Sequence, residues 1–515
     1  MKRLFAFFLC MTMVLGLCAC NKSGAEDNTA AAIDGVFSVG FAKADITPTA
    51  PVPLSGFGDN MERMSNQVMD PLYATCIAIT DAGGNTVLLF GTDLLNSYAN
   101  VVTPVRETIA KETGIPFSHI QFSGSHTHSG YDQGSDGVGS VAEANRVFSE
   151  RCLQAAKDAL ADRKPAKMYG TFTRPDGLNY LRHYILSDGE YDAYHLGERP
   201  KEEIYSHLWK ADNLLQLVKF TREGGKDVVL INWQAHYYGT KKINYYGISA
   251  DYPGALKSEV EAQLDCHAAF VLGGAGNVNS TSQIPSENHD KGYVEHGKML
   301  AAEAVKAAAN FQPLETGTIQ LQEFPFVAEG TIKENYLYAI GFGDFAIAYA
   351  PWEIFDCHAR AVREASKYPY TFYASCANAG SQNMYLSHDA SFDYDCYEAA
   401  TARYPRGTAE QVQAKLTEML DLCFTASGQT QKARPEGYIT QPEAVCDGLE
   451  YTNPKPGSAD AATAGKNGFY IMPLVQGSNV KFWLVDNEEL AKQMCEKETM
   501  KILVDDRNVI VGIAE

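Results

Sequence analysis

From Val36 onward, short apolar runs alternate with segments whose apolar residues recur every three to four positions. Leu72–Thr80 and Thr86–Gly91 read as strands joined by the turn sequence DAGGN, a hairpin. A helix is predicted over Thr103–Glu112, capped by Thr103 with Pro104 in its first turn. After the strand Ile120–Ser123, Val141–Leu160 places Phe148, Cys152, Ala156 and Leu160 four apart, the stripe of a helix lying on a sheet. Leu214–Phe220 and Asp227–Trp233 flank REGGK as a second hairpin. Pro253–Leu264 and Gly297–Ala309 read as helices and Ala268–Leu272 as a strand, while Phe345–Ala350 is a strand running into a helix over Glu353–Ala365. Interleaved strands and helices with hairpins predict an α/β (α+β) domain, a mixed sheet covered by helices. After Lys432 the texture changes to short β-like runs (GYITQPEAV, NGFYIMPLV, NVKFWLV), which predict a small β-rich C-terminal lobe.

The first residues follow a different pattern. Lys2 and Arg3 precede a nearly unbroken apolar run, Leu4–Leu17, which stops at Leu17-Cys18-Ala19-Cys20 before polar residues. A basic start, a short apolar core and a small residue before the cut describe an export signal, too short for a stable membrane span. The Cys after that small residue resembles the bacterial lipoprotein box, with Cys20 as lipidated N-terminus; plain secretion is the alternative. The expected organisation is a signal over 1–19, a polar tether over 20–35, the main α/β domain over 36–432 and a β-rich region over 433–515. The expected location is the extracytoplasmic face of a bacterial envelope, with the membrane reached through Cys20.

Composition narrows the partners. A hydrophobic fraction of 45% and a charged fraction of 21% suit a globular protein and exclude disorder. The net charge is −20, and −22 once residues 1–19 with their two positive and no negative charges are removed. Such an acid excess excludes nucleic acid, which needs a basic face. Of twelve cysteines, the nine beyond Cys20 are scattered without a CxxC pair, so few disulfides or none are expected.

The densest chemistry is Ser123-Gly124-Ser125-His126-Thr127-His128-Ser129-Gly130, directly after the apolar run HIQF. Two histidines at i and i+2 on an extended segment face one side, so both imidazoles reach one point. The alternative is two hydrogen-bonded structural histidines. His236 ends another apolar strand, LINWQAH, and Glu353 follows a third, FAIAYAPWE, where it also suits the first turn of a helix. His183 and His388 have weaker claims. Two imidazoles and a carboxylate are the ligand set of a catalytic Zn²⁺ with a position left for water. Their separations of 110 and 117 residues make the grouping suggestive. GSHTHS and GGAGNVNS are also similar to motifs of two-metal phosphoesterases, but Thr92-Asp93-Leu94 lacks the His two residues on that a second metal would need.

Taken in order, the motifs resemble those of the neutral, non-lysosomal ceramidases. Val39-Gly40-Phe41-Ala42-Lys43-Ala44-Asp45-Ile46-Thr47-Pro48 is similar to that family's VGxGxxDITP opening, and Leu54-Ser55-Gly56-Phe57 to its Gly-aromatic turn. SGSHTHSG, NWQAH, SADYPG, Gly276-Asn277-Val278, APWE and the Tyr385…Tyr397-Glu398-Ala399 block follow in the family's order, over about residues 36–410. The resemblance implies one catalytic zinc held by His126, His236, Glu353 and Tyr385. It implies His128 as proton carrier, and Arg182 and Tyr397 as contacts to substrate or to the developing oxyanion. Where the family has Gly-Asp-Val-Ser-Pro with a catalytic Ser, this chain has Gly276-Asn277-Val278-Asn279-Ser280. Asn279 cannot be a nucleophile and is expected to donate a hydrogen bond to a carbonyl instead. The charged, Tyr-rich insertion Leu186–Trp209 suggests a different pocket mouth. The function expected is zinc-dependent hydrolysis of an N-acyl amide, ceramide-like or related, by metal-activated water. A relative acting on another amide or ester, and a catalytically silent binding lipoprotein, are the alternatives.

Overall fold

Most strands in the body of the protein are apolar on both faces, and the two faces enter different cores. Along Tyr73–Thr80, Ile77 and Ile79 join one buried cluster, whereas Cys76 and Ala78 join another. Val228–Trp233 divides likewise, with Val228 and Leu230 on one side and Val229 and Ile231 on the other. Strands of this kind need cover on both faces. The computed structural model describes residues 35–514 except 59–61, 136, 187–190, 194–203, 237–238, 288–289, 330, 332–333, 379–384, 394, 440–444, 447, 466–468 and 506–508. The expected signal, Cys20 and nearly all of the tether therefore lie outside the described residues, as does much of the Leu186–Trp209 insertion.

The cover comes in four layers. A nine-stranded sheet runs, in spatial order, His267–Leu272, Val228–Trp233, Leu215–Arg222, Lys164–Thr173, Ser38–Asp45, Tyr73–Thr80, Thr86–Thr92 and Ile120–Gly124, with Gln312–Leu314 also beside Lys164–Thr173. Its middle is antiparallel. At each edge the last pair is parallel: Ile120–Gly124 on Thr86–Thr92, and His267–Leu272 on Val228–Trp233. On one face, helices Ala99–Thr113 and Gly139–Ala161 pack over one half and Asp251–Leu264 and Tyr293–Ala308 over the other. On the opposite face lies a second sheet, Gln320–Val327, Glu334–Phe342, Phe345–Tyr349 and Tyr370–Ala374. Ile340, Ile347 and Phe372 pack from it against Val39, Ile77 and Leu230. Helices Asp356–Ala365 and Thr408–Ser427 close its outer side. The mixed sheet covered by helices is therefore present, doubled into helix, sheet, sheet, helix.

Three helix starts differ from expectation by three or more residues, the one expected at Gly297 coming at Tyr293. The helix predicted from Thr103 begins at Ala99, because Val101 and Val102 are already buried and their N–H groups donate to the Tyr98 carbonyl at 3.0 and 2.8 Å. Pro104 consequently sits inside the helix. The helix predicted from Glu353 begins only at Asp356. Glu353 and Ile354 instead pair in parallel with Tyr385 and Leu386, and Phe355 is extended.

The C-terminal lobe is a seven-stranded sheet from Val445 to Ala514 with one helix, Glu488–Cys495, packed on it through Leu490 and Met494. Tyr438, expected within the first β-like run of that lobe, is instead buried in the core between the two main sheets. The nine cysteines of the described residues are all free, and most are buried. No helix among the described residues is long and apolar enough to cross a membrane.

The helix Tyr293–Ala308 buries His296 edge-on to the Tyr252 ring, with centroids 5.3 Å apart. Burial, weakly opposed by Asp290, lowers its pKa to about 4. The ordinary value is about 6.5, so the unfolded chain binds the proton first, and stability present above that pH is lost as pH falls toward 4. The loss attributable to this group is about 3 kcal/mol. Urea unfolding midpoints should drop across that window, and His296→Phe should flatten the drop; an unchanged slope would show that His296 is not held neutral.

Candidate metal centre

The strands Ile120–Gly124, Val228–Trp233 and Phe345–Tyr349 each belong to a parallel pair, and just beyond their carboxyl ends lie His126, His236 and Glu353. Ligands of open α/β sheets bind beyond such strand ends, and here two stacked sheets contribute to one crevice. The segment after Tyr370–Ala374 ties the ends together. Ser375 N donates to Leu272 O at 2.9 Å, Ala377 N to Ala350 O at 3.1 Å and Asn378 N to Phe122 O at 3.0 Å. Cys376 and Asn378 take positive φ angles of 53° and 49° to do so.

His126 is itself left-handed, with φ 64°, a conformation that costs a non-glycine residue of order 1–3 kcal/mol and persists only where the surroundings enforce it. Ser125 N donates to Thr92 O at 2.8 Å and His126 N to Leu94 O at 3.0 Å. Gly124 permits this approach, since a Cβ there would lie 2.8 Å from Leu94 O. His236 is held by its N–H to Val278 O at 2.8 Å and by Ser280 N donating to its carbonyl at 2.9 Å.

Both rings have their Nδ1 atoms against backbone carbonyls. His126 Nδ1 lies 3.0 Å from Leu95 O and His236 Nδ1 2.7 Å from Ala275 O. A carbonyl only accepts, so each Nδ1 carries the proton and each Nε2 presents a lone pair. Those two Nε2 atoms face each other at 2.9 Å. Glu353 Oε2 stands 3.2 Å from the first and 3.1 Å from the second. Two lone pairs and a carboxylate at such distances repel unless a cation lies among them. Donors on a tetrahedral zinc, with bonds of about 2.0–2.1 Å, are separated by about 3.3 Å, so the three spacings fit a metal ion. Without a metal, a proton substitutes. Burial opposes charging His126, but Glu353 and Cys376 together outweigh it and hold its pKa well above the ordinary value. Burial, then Arg182 and His126, lowers that of His236 to about 4. Glu353 is held well below the carboxylate range, burial being overcome by His126 and His236.

The other expected site residues gather around this point. Tyr385 is the register partner of Glu353, and its ring lies 6.4 Å from that of His236. His128 is buried, its ring 5.0 Å from His126 and 5.6 Å from His236. Burial first, then the two histidines, keeps it well below the ordinary imidazole pKa and hence neutral. Arg182 lies over the Tyr385 ring at 5.4 Å, and its Nη2 donates to Gly276 O at 2.6 Å. Asn279 forms an isolated bridge with His236, and its buried Oδ1 has no hydrogen-bond partner among the described residues. The half-buried Tyr397 packs edge-on to Tyr385 at 5.8 Å. His388, by contrast, stacks on His358 at 5.5 Å.

Sequence reasoning missed several supports. The carbonyls of Leu95 and Ala275 leave no trace in side-chain motifs. Cys376, 3.5 Å from His126 Nδ1, sits in an ordinary apolar run. Gly56 reads in the sequence only as part of a turn; a Cβ there would fall 2.5 Å from the His128 ring, so the glycine makes room for that imidazole. Phe57 completes the wall, 5.0 Å edge-on from the same ring.

Solved structures that share this fold include two ceramidases. A ceramidase complexed with C2 aligns over 87% of this chain and 93% of its own, with a TM-score of 0.60 and 14% identity. The neutral ceramidase from Pseudomonas aeruginosa aligns over 87% and 92%, with the same TM-score and identity. The chain has the neutral ceramidase fold. No protein-family pattern matches it, and no curated protein sequence matches it.

A Cβ at Gly276 would stand 2.6 Å from the Glu353 carbonyl oxygen and force apart the loop and the carboxylate's strand. A divalent transition-metal ion should raise the thermal midpoint of metal-free protein, because it binds only the folded state. Gly276→Ala should weaken that binding about 10- to 100-fold, the usual effect of disturbing groups that orient ligands. Equal metal-induced shifts in the two proteins would contradict the geometry.

Proposed function

We propose that the protein is a zinc-dependent hydrolase of ceramidase type that cleaves an N-acyl amide. The observation that carries this reading is the meeting of two imidazole Nε2 atoms at 2.9 Å with Glu353 against both. Two imidazoles, a carboxylate and the phenol of Tyr385 make a four-donor N/O set that suits Zn²⁺. Bound there, zinc would polarise the scissile carbonyl and bring the pKa of a water toward neutrality. The ceramidase fold supports the same reading, since ceramide is an N-acyl amide.

The residues around the centre divide the remaining work. His128, buried and neutral, takes the proton of the attacking water and passes it to the leaving amine nitrogen. Arg182 and the Asn279 side-chain amide donate toward the acyl oxygen as it gains negative charge, in a buried site that bulk water screens little. Asn279 offers no nucleophile where a serine would stand, so the acyl group goes directly to water. Tyr397, half-buried beside Tyr385, contacts the substrate at the rim. The export signal and Cys20 support a lipid-anchored, extracytoplasmic protein that meets its substrate at a membrane. The negative net charge leaves apolar surface, not attraction to anionic lipid, to draw a lipid in.

Purified protein should contain one zinc per chain and turn over members of a panel of N-acyl amides and esters. Chelation should abolish turnover and zinc restore it, and Arg182→Ala should lower kcat about 10²- to 10³-fold. No stoichiometric zinc, together with full hydrolysis by His126→Ala, would overturn the reading. Zinc without turnover of any amide or ester would favour a silent binding lipoprotein.

A further inference from the structure

Arg182 is almost wholly removed from water, with 3% of its side chain exposed, and its partner Glu398 is at 0%. A buried ion pair is tolerated only where geometry is good and the remaining lone pairs and protons are satisfied. Arg182 Nε donates to Glu398 Oε1 at 2.5 Å. The second carboxylate oxygen is equally engaged: Oε2 lies 3.1 Å from His183 Nε2 and accepts from the Cys396 thiol at 3.1 Å. His183, Cys396 and Glu398 thereby form a buried group whose donor atoms lie within 4.8 Å of one another, close enough to hold a metal. The guanidinium already on Oε1 argues against a cation there, because a divalent ion would sit beside a buried positive charge. This group is an anchor.

The anchor adjoins the Leu186–Trp209 insertion, with none of its residues inside it. Tyr184–Leu186, Tyr191–Ala193, Ile204–His207 and Asp395–Cys396 form a four-stranded sheet, in which Cys396 pairs with Ala193. The next residues, Tyr397–Ala400, turn into a short helix that carries Glu398. The guanidinium is thus fixed by Glu398 on one side and by the Gly276 carbonyl on the other, at 2.6 Å, while lying over Tyr385.

We propose that Glu398, steadied by His183 and Cys396, is the positioning residue for Arg182. It fixes the guanidinium beside the metal centre and neutralises it, and it rests on the hydrolase reading only in that Arg182 faces the substrate. With a divalent ion on His126, His236 and Glu353, the formal charges of ion, Glu353, Arg182 and Glu398 sum to a single positive charge. One negative charge developing on an acyl oxygen matches that sum. Without Glu398 the buried excess doubles, and Arg182 loses the acceptor that sets its direction.

Glu398→Gln should lower kcat about 10²-fold, comparable to losing one oxyanion donor, with KM within about threefold and one zinc per chain retained. Added to Arg182→Ala, the same change should cost less than about threefold, because a residue acting through another has nothing left to position. Multiplicative losses in the double variant would overturn the proposal. A second readout needs no turnover. Phenylglyoxal labelling mapped by mass spectrometry should modify Arg182 slowly in the wild type and several-fold faster in Glu398→Gln; equal rates would also overturn it. If the wild type hydrolyses nothing, the hydrolase reading fails while the labelling still decides the clamp. Should Glu398→Gln not fold, Glu398→Asp carries both arms, with the charge kept and the carboxylate withdrawn by one methylene.

Discussion

Two imidazole lone pairs and a carboxylate held within 3.2 Å of one another are mutually repulsive in a buried place, and much of the architecture serves to hold them there. None of the three comes from the same strand, and Glu353 follows a strand of a different sheet from the two histidines. A single sheet would offer its strand ends along one edge. Stacking two sheets over a shared core of Ile77, Leu230, Ile340 and Phe372 lets strand ends from both layers meet. The backbone of Ser375–Asn378 then crosses from one layer to the other, bonding to Leu272, Ala350 and Phe122. Positive φ at His126, Cys376 and Asn378 concentrates local strain around this junction, as expected where a rigid fold imposes a working geometry.

Charge is arranged with the same economy. The centre lies in a protein of net charge −20, yet Arg182 and the neutral His128 stand beside it, and both Glu353 and Glu398 are paired. Glu353 faces the two imidazoles, and Glu398 faces Arg182, His183 and Cys396. Each carboxylate thus offsets one cationic element, and the two pairs are linked where Arg182 lies over Tyr385, the register partner of Glu353.

Much of this was legible in the sequence. The alternation of apolar runs located strands such as Tyr73–Thr80 and Val228–Trp233 with their hairpins, because these are apolar on both faces and bounded by Gly-rich turns, as at Asp81–Asn85; it passed over Lys164–Thr173 and Glu334–Phe342. Strand-end histidines and an acid pointed to a shared crevice, and the structure brings His126, His236 and Glu353 together. The doubling of the sheet was not legible, since a run such as FAIAY looks the same in either layer. The helix after Glu353 starts later than local propensity implies because the pairing of Glu353 with Tyr385 is a contact between residues 32 positions apart, invisible to such propensity. Tyr385, Arg182 and Tyr397 were reached through motif resemblance alone, and Glu398 acquired a role only when its neighbours in space were known.

X-ray absorption at the zinc edge of the purified protein tests the central claim most directly. The account predicts a low-coordinate zinc with two imidazole nitrogens and oxygen donors at about 2.0–2.1 Å, and no sulfur. A sulfur scatterer at about 2.3 Å would instead place the ion near Cys396 or Cys376. That result, or a spectrum without imidazole, would contradict a centre built on His126, His236 and Glu353.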